Sequence, residues 1–464
     1  MLVSLHRISD AVMKRSCYVI ALTTLLCLEI SVRTAHASPT NVLSQSEQAL
    51  VTGNPERARA LAEGIIDQEP SNYAALILLS LAHADLGADH ASADAATNAY
   101  RVATTADQRL QAARIVAGAH FKMNQYTRAQ WWLRRAGNDA ETPQEAAKVR
   151  QEFTRIRTEN PLRVNLGFSV APSDNINNGS ESESFFLEGL DFEFFLPESS
   201  LALSGIEYAG DVFATYDLAQ GPNHRTQLQG YIFGRTFSLS RKSQAAVPDI
   251  SGNDYALILT EAAINHSRLL QSGWGPTSVS AHIGKAWFGG DPLWDYGKVS
   301  LAQMIPDGAN NALTIGGSFE NRTARHATQS DTQVTYVYAS QQHMRTNQDK
   351  VTITFSGLTQ NAAFETDSFT EYRGNIAYHF GQPLMGTHVS VSGGLGYKSY
   401  DEFTLSLDGR RDRYASLGGT VVFNNAAYFG FAPTVGVTAT HTESNVTQFT
   451  TSQLQARIGI QSTF

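Results

Sequence analysis

Residues 454–464 read Leu454-Gln455-Ala456-Arg457-Ile458-Gly459-Ile460-Gln461-Ser462-Thr463-Phe464. Apolar side chains take the even positions Leu454, Ala456, Ile458, Ile460 and Phe464, while Gln455, Arg457, Gly459, Gln461 and Thr463 take the odd ones. Successive side chains of a strand point to opposite faces, so this period of two builds one apolar and one polar face. An alternating strand that ends on a C-terminal phenylalanine predicts the closing strand of an outer-membrane β-barrel, with Phe464 as its membrane-assembly signal. One face meets lipid and the other a wet lumen. A strand of a soluble sandwich alternates too, so the rest of the chain has to carry the choice.

It does so from Pro161 onward. Val351, Ile353 and Phe355 alternate with Thr352, Thr354 and Ser356, and Val389, Val391, Leu395 and Tyr397 alternate with Ser390, Ser392, Gly394 and Gly396. Tyr372, Ile376, Tyr378 and Phe380 face away from Arg373, Asn375, Ala377 and His379. About 300 residues at roughly 20 per strand and turn give about 14 strands, an even number being preferred. Trp287-Phe288, Trp294 with Tyr296, and Tyr336 with Tyr338 are expected to form aromatic girdles at the membrane interfaces. Gly316-Gly317 and Gly393-Gly394 allow the bends that closure needs. Residues 180–197 read either as a strand or as a loop folded into the lumen.

The N-terminus reads as a secretory leader over residues 1–37. Lys14 and Arg15 precede an apolar run from Tyr18 to Leu28, and Ala35-His36-Ala37 supplies the small residues of a cleavage site. Both cysteines, Cys17 and Cys27, fall inside that leader, so the expected mature chain has no disulfide, thiol nucleophile or cysteine metal site. Charged residues make up only 17% of the chain, aromatics 10%, and no segment has the 18 or so apolar residues of a membrane helix. A net charge of −8 argues against nucleic acid as a partner.

Between the leader and Pro161, residues 38–160 carry helical spacing and an internal repeat. Gly53 and Gly87 lie 34 residues apart, and Ala58 and Pro70 fall at the small and helix-ending positions of the first unit. A third unit is offset by three: Asn124-Gln125-Tyr126 takes the turn, with Ala129 and Ala136 at the small positions. Glycine permits the tight turn between paired helices and alanine lets them approach, as in tetratricopeptide (TPR) repeats. The Trp and Tyr of that repeat's first helix are missing here. A last helix, Pro143 to Glu159, is expected to cap the stack before Asn160-Pro161 breaks it. The fold class is therefore α+β in two domains: a TPR-like helical solenoid, then an antiparallel transmembrane β-barrel.

Little in the chain points to catalysis. It has no HExxH, P-loop or GxSxG motif, and His282, His379, His388 and His441 are scattered singly, as expected of lumen or turn histidines. The chain reads as a non-enzyme without a cofactor or metal. An outer-membrane hydrolase with a Ser–His pair on the barrel wall is the alternative that its many serines leave open. The most distinctive polar cluster is Asp174-Asn175-Ile176-Asn177-Asn178, just after the first strand. Taken alone it is a plain turn, since Asn and Asp bond their own backbone.

The order of leader, TPR-like helices and a barrel that opens with Val170-Ala171-Pro172-Ser173-Asp174-Asn175-Ile176-Asn177 resembles the surface lipoprotein assembly modulators, the Slam family of the type XI secretion system. The opening is similar to that family's Ala-Pro-Asp/Ser-Asn-Ile-Asn motif at the junction of its two domains. Ala171, Pro172, Asp174, Asn175, Ile176 and Asn177 carry the match. The resemblance implies a 14-strand barrel in the outer membrane of a Gram-negative bacterium, with its helical domain in the periplasm. It also implies transport of lipoproteins or soluble haemophore-like proteins to the cell surface.

The partners expected are such a client protein, outer-membrane lipid, the barrel-assembly machinery during insertion, and periplasmic chaperones. The periplasm lacks ATP and the chain lacks a nucleotide site, so transport would be driven by binding and folding free energy. With the repeat register above, the client groove of the helices would be lined by Ile77, Leu81 and Asp85, then Gln111, Arg114, Phe121 and Lys122. For Ile77 and Leu81 ordinary packing between repeats is the competing role. The competing function is an exopolysaccharide export porin, which also joins periplasmic TPRs to a barrel. Such exporters carry longer repeat arrays and a charged, aromatic-lined path.

Overall fold

The computed structural model describes residues 39–186, 193–271 and 273–462. The leader and Phe464 lie outside that range. The chain divides between Asn160 and Pro161 into two compact units.

Among the described residues of the first unit, seven helices follow one another: α1 Pro39–Val51, α2 Pro55–Ile66, α3 Tyr73–Asp85, α4 Asp89–Val102, α5 Ala106–Lys122, α6 Tyr126–Asn138 and α7 Pro143–Glu159. Each packs on the next, and α3 also packs on α1 and α5, which is the stacking of a TPR-like solenoid. The residue that turns each pair sits in the left-handed region: Gly53 (φ 75°), Gly87 (φ 74°) and Asn124 (φ 58°). Glycine pays no steric penalty there, and asparagine tolerates it. Ala58, Ala129 and Ala136 are fully buried, as the small-residue reading requires.

The repeat also carries a polar clamp. Ser46 Oγ donates to the Ala58 carbonyl at 2.9 Å, and Ser80 Oγ, 34 residues later, donates to the Ser92 carbonyl at 2.8 Å. Helix starts are fixed by side-chain caps. Asn54 and Asn72 each accept a backbone N–H, and Thr105–Gln108 and Thr142–Glu145 form capping boxes. Glu145 is held below the usual carboxylate range, first by the Thr142 backbone N–H. Leu76, Ile77, Ala99 and Ala112 form the core between α3, α4 and α5.

In the second unit, among the described residues, fourteen antiparallel strands close on themselves. They are β1 Leu162–Ser173, β4 Gly205–Gly221, β5 His224–Leu239, β6 Leu257–Arg268, β7 Thr277–Phe288, β8 Asp291–Asp307, β9 Asn311–Ala324, β10 Thr332–Met344, β11 Lys350–Ala362, β12 Phe369–His379, β13 His388–Tyr400, β14 Arg410–Val422, β15 Phe431–Ser444 and β16 Thr451–Ser462. Neighbours in sequence are neighbours in space, and β1 closes the cylinder by pairing with both β4 and β16.

A separate hairpin, β2 Ser184–Phe186 with β3 Glu193–Phe195, lies outside the barrel sheet. The described residues of 180–197 therefore supply no barrel strand. The strand directions put the described residues between β1 and β4, a short helix α8 (Arg241–Ala246), and the Thr447–Phe449 turn at one end, called the far end. Pro161 and the close of β16 share the near end.

The alternation of the wall is as the sequence predicts. Val164, Leu166 and Phe168 on β1, and Leu454, Ile458 and Ile460 on β16, are exposed outward, as are Ile283 (69%) and Leu417 (70%) at mid-strand. A continuous apolar outer face of this kind is stable in lipid. No helix among the described residues is long and apolar enough to cross a membrane.

The girdle expectation needs correction. Tyr296, Tyr336 and Tyr338 share strand parity with the polar residues, because Val299 and Leu301 on β8 and Val337 on β10 take the outer face. The three tyrosines and Trp294 line the lumen. Tyrosine rings fit there because glycines face them across the ladder, Gly284 under Tyr296, Gly316 under Tyr338 and Gly396 under Tyr414. A Cβ at Gly396 would stand 1.9 Å from Tyr414 Cζ.

Candidate functional site

Three sets of residues are candidates: the helical groove, the junction motif and the lumen wall. In the groove set, Ile77 is buried at 6% and Leu81 packs on the same core, so both serve the packing between α3, α4 and α5. Asp85, Gln111 and Lys122 are exposed. The Tyr73 hydroxyl donates to the Gln108 carbonyl (2.8 Å) and to Gln111 Oε1 (3.0 Å), which ties α3 to α5. Burial pushes the Tyr73 phenol well above its ordinary value. Arg114 forms a two-point ion pair with Glu152 of α7. Phe121 packs edge-on against Tyr126, with the Arg155 guanidinium 5.8 Å from its ring. Lys122 reaches the Ala84 carbonyl (3.3 Å) and Asp89 (3.7 Å). Arg114 and Phe121 thus meet α7, while Asp85, Gln111 and Lys122 keep open surface.

Sequence reasoning missed α6. Trp131 is 47% exposed there, and Arg135 lies 3.7 Å from its ring centre and 4.9 Å from that of Trp132. Such a cation–aromatic pair at a surface is a common protein-contact anchor. The signal was present in the Trp131-Trp132 dipeptide.

The junction motif is far more than a turn. Pro172 lacks an N–H, and the β1–β16 ladder jumps from Val170↔Ile458 to Ser173↔Gln455. Beyond Ser173↔Gln455, side chains continue the pairing. Asp174 accepts the Leu454 N–H (2.9 Å), Gln453 Nε2 donates to the Asn175 carbonyl (2.7 Å), and Asn175 Nδ2 donates to the Ser452 carbonyl (3.2 Å). Asn175 is 1% exposed and also grips Gly179 in both directions, at 2.9 and 2.7 Å. Asn177 donates to the Ser199 and Leu201 carbonyls and accepts the Leu203 N–H. Ile176 seats in a small core with Leu203, Phe237 and Val247. Ala171, fully buried, precedes the break. The motif is a clasp over the seam.

The lumen wall carries dense polar networks. On β12–β15, Glu371 pairs with Arg373 and accepts the Tyr414 hydroxyl, and Arg410 makes a two-point pair with Asp412 (2.9 and 2.7 Å). Lys398 lies 3.7 Å from the Phe369 ring centre and Arg410 lies 3.5 Å from that of Phe449. All of these except Phe369 line a cavity of about 440 Å³ that Asn178, from the clasp segment, also lines. Asn178 of the junction motif therefore reaches the lumen. A second network on β6–β9 joins Glu261, His282, Tyr296 and Lys298, with Glu320–Arg322 beside it.

Together the two units define the class: TPR-like helical repeats joined to a closed, outer-membrane type of β-barrel. No protein-family model matches the chain, and no curated protein matches it. Among solved structures, the chain is similar to the first TPR domain of human RPAP3, with 14% identity, over 26% of this chain and 92% of that one, at a TM-score of 0.24. It is also similar to OmpT, an outer membrane protein of Vibrio cholerae, with 9% identity over 65% and 98% at a TM-score of 0.35. A bacterial polysaccharide outer membrane secretin gives 8% identity over 65% and 98% at 0.34.

Proposed function

We propose that the protein moves client proteins, surface lipoproteins or secreted haemophore-like proteins, from the periplasm to the cell surface. In this reading the helical unit captures the client, and the barrel provides the passage. Folding of the client outside opposes its return, so no nucleotide is needed. Asp85, Gln111 and Lys122, with the Trp131–Arg135 pair, are the surfaces proposed to meet the client.

The observation that carries this reading is the seam. Among the described residues, β1 and β16 share five ladder pairs, whereas every other seam of the barrel has ten or more. Side chains of the junction clasp make up the difference at the far end. A seam held this way parts more readily than a full ladder, and lateral parting is what an acylated client needs to pass its lipid anchor through a barrel wall. Under this proposal the motif's role is to hold the seam shut between clients.

The test is co-expression with a candidate client, followed by protease shaving of intact cells. Client exposure that requires this protein supports the proposal, and exposure without it ends it. The mature chain is expected to lack cysteine, so a Val170→Cys/Ile458→Cys pair can lock the seam. Oxidation is expected to abolish display of a lipidated client and reduction to restore it. Charge reversal at Lys122 that leaves display unchanged would count against groove binding there.

One observation favours a second reading, polysaccharide export. Trp294, Tyr296, Tyr336, Tyr338 and Tyr414 share the lumen with paired charges, the kind of path that sugar export needs. Block of single-channel conductance by oligosaccharides, with no client effect, would select it.

A further inference from the structure

We propose that Ser280, His282 and Glu261 form a nucleophilic site on the lumen wall that hydrolyses acyl esters. This stands apart from the transport reading, and neither needs the other. Ser280 and His282 are two residues apart on β7, so both face the lumen. Glu261 on β6 pairs with Gly284, one same-face step beyond His282. The absent side chain at Gly284 leaves room for the Tyr296 ring to lie over it.

The distances form a relay: Glu261 Oε1 to His282 Nδ1 is 2.8 Å, and His282 Nε2 to Ser280 Oγ is 2.8 Å. An ionised carboxylate only accepts, so Nδ1 carries the imidazole proton. Nε2 then presents its lone pair, and the Ser280 hydroxyl donates to it. That is the protonation pattern of a serine primed by a histidine base whose orientation a carboxylate fixes. Glu261 is itself held by the Tyr296 hydroxyl (2.9 Å) and Lys298 Nζ (2.8 Å).

The reaction balances with water as the co-substrate. Ser280 Oγ attacks the ester carbonyl carbon while its proton passes to His282 Nε2. The C–O bond to the alcohol then breaks, and the alcohol leaves with that proton. Water, deprotonated by the same nitrogen, attacks the acyl-serine, and the carboxylic acid departs with the serine restored. Asn265 faces Ser280 across the β6–β7 ladder. One of its two amide protons goes to Ser267 (3.3 Å), which leaves the other for the carbonyl oxygen in the transition state. Lys298, opposite His282 on β8, keeps its ammonium on Glu261 and so helps to fix the carboxylate that orients the imidazole.

The test uses the full-length protein, purified in detergent, with a fluorescent alkyl fluorophosphonate and p-nitrophenyl butyrate as probes. Wild type is expected to be labelled and to turn the ester over. Ser280→Ala should lose both, and His282→Asn should slow both by about 100-fold or more, the low end of general-base contributions. Ser278→Ala, on the same face but bonded to Ser267 at 2.8 Å, should behave as wild type. Heat-modifiable migration on gels reports that each variant is folded. A folded wild type that resists the phosphonate, or labelling that survives Ser280→Ala, overturns the proposal and leaves a silent hydrogen-bond network. A Ser280→Cys protein that no thiol reagent reaches overturns it as well, because no substrate could enter.

Discussion

At the scale of one residue, Asn175 shows how much a single amide can hold. Its Nδ2 bonds two carbonyls, one of them 277 positions away in sequence, and its Oδ1 takes the Gly179 N–H. Truncation to alanine leaves those buried groups unpaired, at roughly 1–3 kcal/mol. Asn175→Asp is expected to cost more than Asn175→Ala, because a carboxylate would face the Gly179 and Ser452 carbonyls. Urea unfolding of the refolded barrel in lipid checks the order: wild type, then alanine, then aspartate. Gly179 is equally constrained, since a Cβ there would stand 2.2 Å from the Leu201 carbonyl oxygen. The Asp-Asn-Ile-Asn run was legible in sequence as unusual, but as a local turn. Its partners on β16 lie beyond the reach of any local pattern, so the physics of turns alone assigned it the lesser role.

At the scale of the element, what could be read depended on how local the forces were. The turns at Gly53, Gly87 and Asn124 follow from backbone sterics, and each falls where the repeat spacing put it. The Ser46 and Ser80 clamps share the same period but were not legible, because serine has many uses and only the packed helices show its acceptor. The tyrosine girdles failed for a related reason. Aromatic residues suit both a lipid interface and a lumen that offers carboxylates, and strand parity decides between them.

Helix α5 carries a pH prediction. Burial lowers the pKa of His120, whose Nδ1 lies 2.9 Å from Gln125 Oε1. A folded pKa below the unfolded value of 6.5 gives stability that is complete above 6.5 and lost as pH falls through the folded value. Hydrogen exchange in α5 and α6, corrected for intrinsic rates, should therefore loosen on going from about pH 7.5 to about pH 5.5. His120→Gln should flatten that dependence. Loosening of the same size in the variant would assign the effect to another group.

At the scale of the whole molecule, the alternating pattern that identifies the barrel also makes its energetics two-sided. Leu417 and Ser416 are neighbours near the middle of β14. Leu417 is exposed outward at 70%, while Ser416 lines the cavity shared with Arg373 and Asp412. A strand in water would treat arginine at the two positions alike. A strand seated in a bilayer cannot, because the outward arginine must enter hydrocarbon while the inward one meets a polar cavity that holds Glu371 and Asp412 as well as three cations. Leu417→Arg is therefore expected to destabilise the barrel by roughly 2–4 kcal/mol, the range for a cation at the bilayer midplane. Ser416→Arg should change it by less than about 1 kcal/mol, as lumen substitutions tune passage more than stability. Reversible urea unfolding in thin-lipid vesicles reads both numbers from one wild-type baseline. Equal costs at 416 and 417 would mean that the outer face of β14 does not meet lipid, and the membrane seat of the barrel would fall with that result.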